Sequence, residues 1–216
     1  MSIRLYSYFR SSASYRVRIA LHLKGQSYDT LPVHLVNNGG EQFAPAFSAM
    51  NPQSLVPVME EEGRHITQSL AILEYLEERF PTPALLPSGL LDRAHVREIS
   101  QAIACDIHPL NNLRVLRMLK QELGVSDEVK QQWIQHWVKL GFAALEQQLA
   151  ASPQRGRFCF GDTPTMADCC LIPQIFNARR FEVDMTPYPT LAAIDEACFQ
   201  LKAFQLAQPS AQPDAA

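Results

Sequence analysis

Two textures of hydrophobic patterning divide this chain. Up to Phe80, short strand-like runs alternate with helical stripes; after Pro87 every periodic segment is helical. Ile3–Ser7 reads as a strand, and a helix follows to about Lys24, with Val17, Ala20 and Leu21 at helical spacing and Gly25 as its stop. Residues 28–35 form the next strand candidate, and a strand–helix–strand order implies a parallel pair. Asn37-Asn38-Gly39-Gly40 is a loop, and residues 42–49 are a short helix or turn anchored by Phe43 and Phe47. Residues 58–60 and 65–67 pair antiparallel across the turn-like Glu61-Glu62-Gly63-Arg64. Gln68-Ser69 then opens a helix that carries Ile72, Leu73, Leu76 and Phe80 on one face.

Pro81-Thr82-Pro83 ends that helix, and Leu85-Leu86-Pro87-Ser88-Gly89 completes a linker. The apolar stripe over 94–123 is interrupted at His108-Pro109, where a proline should kink the helix and free a carbonyl, and Gly124 stops it. Residues 126–151 carry Val129, Trp133, Trp137, Leu140, Ala144 and Leu145 on a stripe. Thr165-Met166-Ala167-Asp168 is a capping-box pattern leading into Leu171, Ile172, Ile175 and Phe176. Leu191, Ile194, Cys198 and Leu201 mark a last helix, after which the Ala-, Pro- and Gln-rich tail from Ala207 is expected to fray. The expected organisation is an α/β domain over residues 1–81 and an all-helical domain over 88–216.

Composition narrows the classes. The chain has 216 residues, 47% hydrophobic and 19% charged, with a net charge of −3, which offers no general attraction to nucleic acid or an anionic membrane. No apolar run reaches the length of a membrane span, and residues 1–9 lack the apolar core of a signal peptide, so a cytoplasmic location is expected. The five cysteines have neither C-x-x-C nor His-linked metal spacing, and no metal site is expected; buried free thiols in a reducing compartment account for them.

The stretch Arg10-Ser11-Ser12-Ala13-Ser14 crowds serine hydroxyls at a helix start. Such hydroxyls cap the first turn of an ordinary helix. They also suit an anion there, and for a thiolate they favour the ionised form. Pro57 heads a strand without a ladder donor, which marks an edge or a special bend, and a cis Val56–Pro57 bond is expected.

Tyr8-Phe9-Arg10-Ser11-Ser12-Ala13-Ser14-Tyr15-Arg16-Val17-Arg18-Ile19-Ala20-Leu21 resembles the signature of the zeta-class glutathione transferases, the maleylacetoacetate and maleylpyruvate isomerases. The resemblance continues through Gln42-Phe43, Asn51-Pro52, Val56-Pro57, Gln68-Ser69 and the run from Cys105 through His108-Pro109 and Asn112 to Arg114. Gly161 to Asp168 is similar to a capping motif found across glutathione transferases. These motifs span nearly the whole chain in the right order. The resemblance implies a thioredoxin-like N-terminal domain, an all-α C-terminal domain, glutathione as cofactor and a homodimer.

Residue by residue, the resemblance implies that Ser11, with Ser12 beside it, orients and stabilises the glutathione thiolate. Val56 would present its backbone to the cysteinyl part like an added strand. Gln68 and Ser69 would hold the γ-glutamyl carboxylate at a helix start, while Gln42, His108, Asn112 and Arg114 would line glutathione or the adjacent substrate space. On spacing alone His108 suits a cap for the proline-freed backbone equally well, and Gln68-Ser69 alone is only a helix cap. One position departs from the family pattern, which has cysteine third in the Ser-Ser-Cys-Ser quartet, where this chain has Ala13. A methyl group cannot attack or oxidise, so no enzyme thiol is essential here; glutathione brings its own.

The implied reaction is the cis–trans isomerisation of a maleyl keto diacid to its fumaryl isomer in aromatic catabolism. It asks for an ionised thiol, anchors for two carboxylates and stabilisation of an enolate. Arginine forks suit the last two tasks, which makes Arg10, Arg114 and Arg180 the candidates, converging on one cleft. Arg179-Arg180 also reads as favourable charge at a helix C-terminus, and Arg16 and Arg18 read as structural or as lying on the solvated side. A thioredoxin-type oxidoreductase is disfavoured because residues 11–14 hold no cysteine. The alternatives are a glutathione transferase that conjugates or dehalogenates small electrophiles, and a non-catalytic glutathione-binding stress protein.

Overall fold

The computed structural model describes residues 2–215 and divides into two compact units, one of residues 2–85 with 200–215 and one of Leu86–Phe199. The first unit contains β1 (Ile3–Ser7), α1 (Ser12–Leu23), β2 (Tyr28–Pro32), α2 (Pro45–Met50), β3 (Val58–Glu61), β4 (Arg64–Thr67) and α3 (Ser69–Arg79). The sheet order is β2-β1-β3-β4, with β1 and β2 parallel and β3 antiparallel to both β1 and β4. That mixed sheet is the thioredoxin-like arrangement. The β3–β4 turn places Glu62 and Gly63 at φ 53° and 74°, the paired positive values of a two-residue turn whose twist matches the strands.

Local chemistry explains the elements. In β1, Ile3 and Leu5 are buried while Arg4 is exposed, the alternation of a strand with one covered face. The inner faces of α1 and α3 bury Val17, Ile19, Leu21, Ile72, Leu73 and Leu76 completely, each worth about 1.5–3 kcal/mol of transfer free energy. The second strand is shorter than its apolar run predicts. After Pro32 the chain turns because His34 Nδ1 accepts the backbone N–H groups of Val36 (3.2 Å) and Asn37 (2.8 Å).

Of the two readings offered for Arg16 and Arg18, the structural one holds. They are 2% and 0% exposed, and Arg18 is held by carbonyls and a hydroxyl: Ala207 O at 2.9 Å, Phe9 O at 3.0 Å and Ser7 Oγ at 3.1 Å. Burial pulls its guanidinium down to about 10, still charged at neutral pH.

The C-terminal segment is a correction. Residues 200–215, expected to belong to the helical domain and to fray from Ala207, pack with the first unit. They form α9 (Lys202–Ala207) against α1 and then a 3₁₀ turn at Pro209–Ala211. Phe204 and Ala207 are fully buried, and Gln212 Nε2 donates to Leu206 O (2.9 Å) and Gln208 O (3.0 Å). Its polar composition hid these tertiary anchors. The interruption at Gln200-Leu201 splits the expected last helix into α8 (Pro189–Phe199) and α9.

The second unit is helical: α4 (Leu90–Gln101), α5 (Leu113–Gln121), α6 (Asp127–Ala151), α7 (Met166–Arg180) and α8 (Pro189–Phe199). No strand occurs in it among the described residues, only an isolated bridge between Arg155 and Gly161. The expected single kinked helix over 94–123 begins earlier, at Leu90. It breaks into a π-helical stretch at Ala102–Ile107 and a 3₁₀ turn at His108–Asn111. Pro109 has no N–H to continue the α ladder. Asn112 restarts it, accepting the Arg114 N–H at 3.1 Å as the cap of α5. Gly141 lets α6 approach this segment: a Cβ there would stand 2.3 Å from Ile107 Cδ1.

The α7 start is built as its sequence reads. Asp168, fully buried, accepts from Thr165 N (2.7 Å), Thr165 Oγ1 (2.9 Å) and Cys159 N (2.8 Å). Asp168→Ala orphans two buried amides and should cost about 2–4 kcal/mol in urea unfolding. A loss under about 1 kcal/mol would show that the cap contributes little.

Candidate active site

The sheet register gathers the sequence-predicted residues of the first unit at one end. Tyr6 pairs with Val58, Val58 with Thr67 and Ser7 with Pro32. The ends of β1, β2 and β4 and the start of β3 therefore lie side by side. From that end leave the turn to Ser11, the loop to Gln42, the Val56-Pro57 entry and the Gln68-Ser69 start of α3.

Ser11 is the N-cap of α1, its Oγ accepting the Ser14 N–H at 3.2 Å, which leaves the hydroxyl proton available to an outside acceptor. Ser12, at 5% exposure, is the first helical residue, and Ala13 is only half-buried. Ser14 Oγ is buried without a hydrogen-bond partner among the described residues. The start of α1 thus presents hydroxyls and the positive end of the helix dipole together.

Val56 is 8% exposed, its bond to Pro57 is cis as expected, and the β3 ladder begins only at Val58, so the Val56 peptide groups fall outside it. Gln68 stands at φ 69°, a strained conformation for a non-glycine residue that costs about 1–3 kcal/mol. Its Nε2 donates to Gln53 Oε1 at 2.7 Å. Ser69, the first residue of α3, is buried, and its Oγ accepts from Arg16 Nη1 at 3.1 Å. Arg16 is the residue that sequence reasoning missed; the contact joins α1 to α3, and no local signal announces it. Gln42 is 4% exposed, and its Oε1 has no partner among the described residues.

The second unit supplies the other named residues. Asn112 Nδ2 lies 3.3 Å from His108 Nε2, so His108, Asn112 and the Arg114 amide form one chain after the Pro109 break. Arg114 is exposed, as is Arg180, whose guanidinium lies over the Phe181 ring at 5.0 Å. Its neighbour Arg179 is the structural arginine of the pair, bonded to buried Asp195. In the first unit Arg10 is exposed, stacked on Phe9 at 4.8 Å, and neither Arg10 nor Arg114 has a carboxylate partner among the described residues.

Four of the five cysteines are buried, and burial pushes the Cys159 and Cys198 thiols upward, with Asp168 adding to both shifts. Cys105, contrary to expectation, is exposed, on the stretch Ala102–Ile107 whose buried residues are Ile103 and Ile107. Among the described residues no group of three or more His, Cys, Asp or Glu is placed to hold a metal, and no helix is long and apolar enough to cross a membrane.

Two family models match: the glutathione S-transferase N-terminal domain over residues 5–84 and its C-terminal domain over 128–194. A maleylpyruvate isomerase from Ralstonia is 49% identical over 99% of this chain and 100% of its own. The holo structure of a maleylpyruvate isomerase, described as a bacterial zeta-class glutathione transferase, matches with a TM-score of 0.96 at 49% identity, covering 99% of this chain and 100% of that one. The chain belongs to the zeta class of the glutathione transferases.

A third relative of this zeta-class transferase is the maleylacetoacetate isomerase of Anaeromyxobacter dehalogenans 2CP-1. It is 47% identical over 100% of this chain and 98% of its own, with a TM-score of 0.88, and was solved with dicarboxyethyl glutathione and citrate in its active site. The zeta-class transferase carries Ala13 between the serines that begin α1, with Ser11 as the helix cap.

Proposed function

We propose that this protein is a glutathione-dependent cis–trans isomerase that converts a maleyl keto diacid, maleylacetoacetate or maleylpyruvate, to its fumaryl isomer. The observation that carries the reading is the cysteine-free, serine-capped start of α1 at the same sheet end as the Val56 peptide and Ser69. An orphaned buried Gln42 Oε1, a backbone edge outside its ladder and a hydroxyl at a helix start fit a tripeptide with carboxylates at both ends. When bound, glutathione supplies a thiol nucleophile whose reversible addition makes the double bond rotatable, and it is returned unchanged.

The chain's own residues do the rest. Ser11 and Ser12 donate to the sulfur and, with the α1 dipole, hold it ionised. The Val56 N–H and C=O extend the sheet edge over the cysteinyl peptide, and Gln42, Gln68 and Ser69 bind the polar ends. Ser69 is held in place by Arg16. Arg10 of the first unit, and Arg114 and Arg180 of the second, are assigned to the substrate, pairing its carboxylates and the charge that develops on the keto oxygen. His108 and Asn112, on the second unit, are assigned to binding as well. The protein works in the reducing cytoplasm as a homodimer, for which exposed Phe43, Leu90 and Leu91 offer apolar surface, and it serves aromatic catabolism.

The test is turnover of both maleyl acids with and without glutathione, beside a halide-release assay. Isomerisation that requires glutathione is expected, and Arg180→Ala should raise KM for the keto acid about tenfold or more while leaving KM for glutathione nearly unchanged. Faster halide release than isomerisation would overturn the reading.

A further inference from the structure

The turn that delivers Ser11 is gripped by groups distant in sequence. Residues 8–11 form a β-turn closed by Ser11 N donating to Tyr8 O at 2.9 Å. Within it the Phe9 N–H donates to Asp214 Oδ2 at 2.9 Å, and the Phe9 carbonyl accepts from Arg18 Nη2 at 3.0 Å. The peptide groups on either side of Phe9 are therefore held by a carboxylate from the C-terminal tail and a guanidinium from α1. Phe9 in turn carries the Arg10 guanidinium on its ring, and Ala215 packs against the cluster that holds Tyr8 and Phe9. Asp214 Oδ1 is buried without a hydrogen-bond partner among the described residues, and the Asp214 charge supports that of Arg18. The carboxylate stays by that charge and by one amide, the amide of the turn.

We propose that Asp214 is a positioning residue for the thiolate site, fixing through the Phe9 amide the turn that aims Ser11 and Arg10. It touches neither cofactor nor substrate. The inference rests on the reading of Ser11 given above. A hydroxyl that must donate to one sulfur lone pair tolerates little rotation of its backbone, so a turn freed at one peptide loses catalysis before the domain loses its fold.

Asp214→Ala and Asp214→Asn are compared with the wild type for kcat/KM across the neutral pH range and for the ultraviolet absorbance of bound glutathione thiolate. Asp214→Ala should lower kcat/KM about tenfold and move both the acidic limb of the profile and the thiolate titration to higher pH. Asp214→Asn keeps an oxygen acceptor for the Phe9 N–H and should restore most of the activity and the wild-type limb. A chain ending at Pro213 loses the same acceptor and should behave like Asp214→Ala, so it serves should the alanine variant not fold. An Asp214→Ala profile that overlays the wild type, or an asparagine variant as impaired as the alanine one, would overturn the proposal. Wild-type turnover without glutathione would instead overturn the functional reading, and this inference with it; glutathione-dependent wild-type turnover with an unmoved Asp214→Ala limb defeats this inference alone.

Discussion

Ser11→Ala should lower turnover at neutral pH about ten- to a hundredfold, because a hydroxyl hydrogen bond to an anion is worth about 1.5–3 kcal/mol. The sign follows from which form the hydroxyl favours. Ser11 donates to the thiolate and not to the thiol, so its loss raises the bound thiol's pKa and leaves more of it protonated at neutral pH. The α1 N-terminus remains in the variant, so activity should climb again as pH approaches about 8.5, the value of an ordinary cysteine thiol. Ser12→Ala is the companion experiment, and at least one of the two should show the shifted limb. Loss of the cap to Ser14 N also costs about 1 kcal/mol of stability, so rates are compared well below the melting temperature. Ser11→Asp separates the two roles: its carboxylate caps Ser14 N yet repels a thiolate, so a stable and nearly inactive protein is expected. Activity without glutathione, or wild-type profiles in both alanine variants, would rule out serine-assisted ionisation.

The largest expected loss of stability is at Lys24→Met. The Lys24 ammonium, 0% exposed, donates to Glu77 Oε2 at 2.6 Å and to Pro83 O at 2.6 Å, and the same carboxylate oxygen accepts Leu85 N at 2.8 Å. This pair ties the end of α1 to α3 and to the segment that follows it. Methionine fills much of the space but leaves a buried carboxylate without its counter-charge, at a cost of about 3–5 kcal/mol. For a protein of this size that lowers Tm on the order of 10 °C. Replacing both partners, Lys24→Met with Glu77→Leu, should recover part of the loss, since it removes the unpaired charge but leaves the Leu85 N–H and the Pro83 carbonyl without their partners. A single variant that melts within about 2 °C of the wild type would show that solvent reaches Glu77.

Much of the candidate site could be read from the chain because its physics is local. Ser11 caps the helix that it heads, Thr165 and Asp168 close a capping box within one turn, and Glu62-Gly63 take the two positive φ angles of a tight hairpin. Each needs only neighbours a few residues away, and residue type alone restricts what the backbone there can do. The proline at 109 likewise announces a break. It does not announce the form of the break, because where the displaced hydrogen bonds go depends on α6, which approaches Ile107 at Gly141.

Tertiary structure decided the long-range polar contacts. Arg16, Arg18 and Lys24 carry no local mark of where they bond, and each is buried because its partners come from other segments: Ser69 from α3, Ala207 from the tail, and Glu77 and Pro83 from the end of the domain. A charged side chain is buried only where its donors meet acceptors, and no periodicity records where those acceptors will be. For the same reason the tail looked disordered: its few apolar residues and its aspartate gain a place only once β1 and α1 have formed the surface that receives them. The sequence by itself determined the capped starts of α1 and α7, the succession of strands and helices in the first unit and the residue chemistry offered to an anion. Packing of segments far apart in the chain decided which arginine supports Ser69 and which carboxylate holds the turn before Ser11, because a hydrogen bond across 205 residues leaves no local trace.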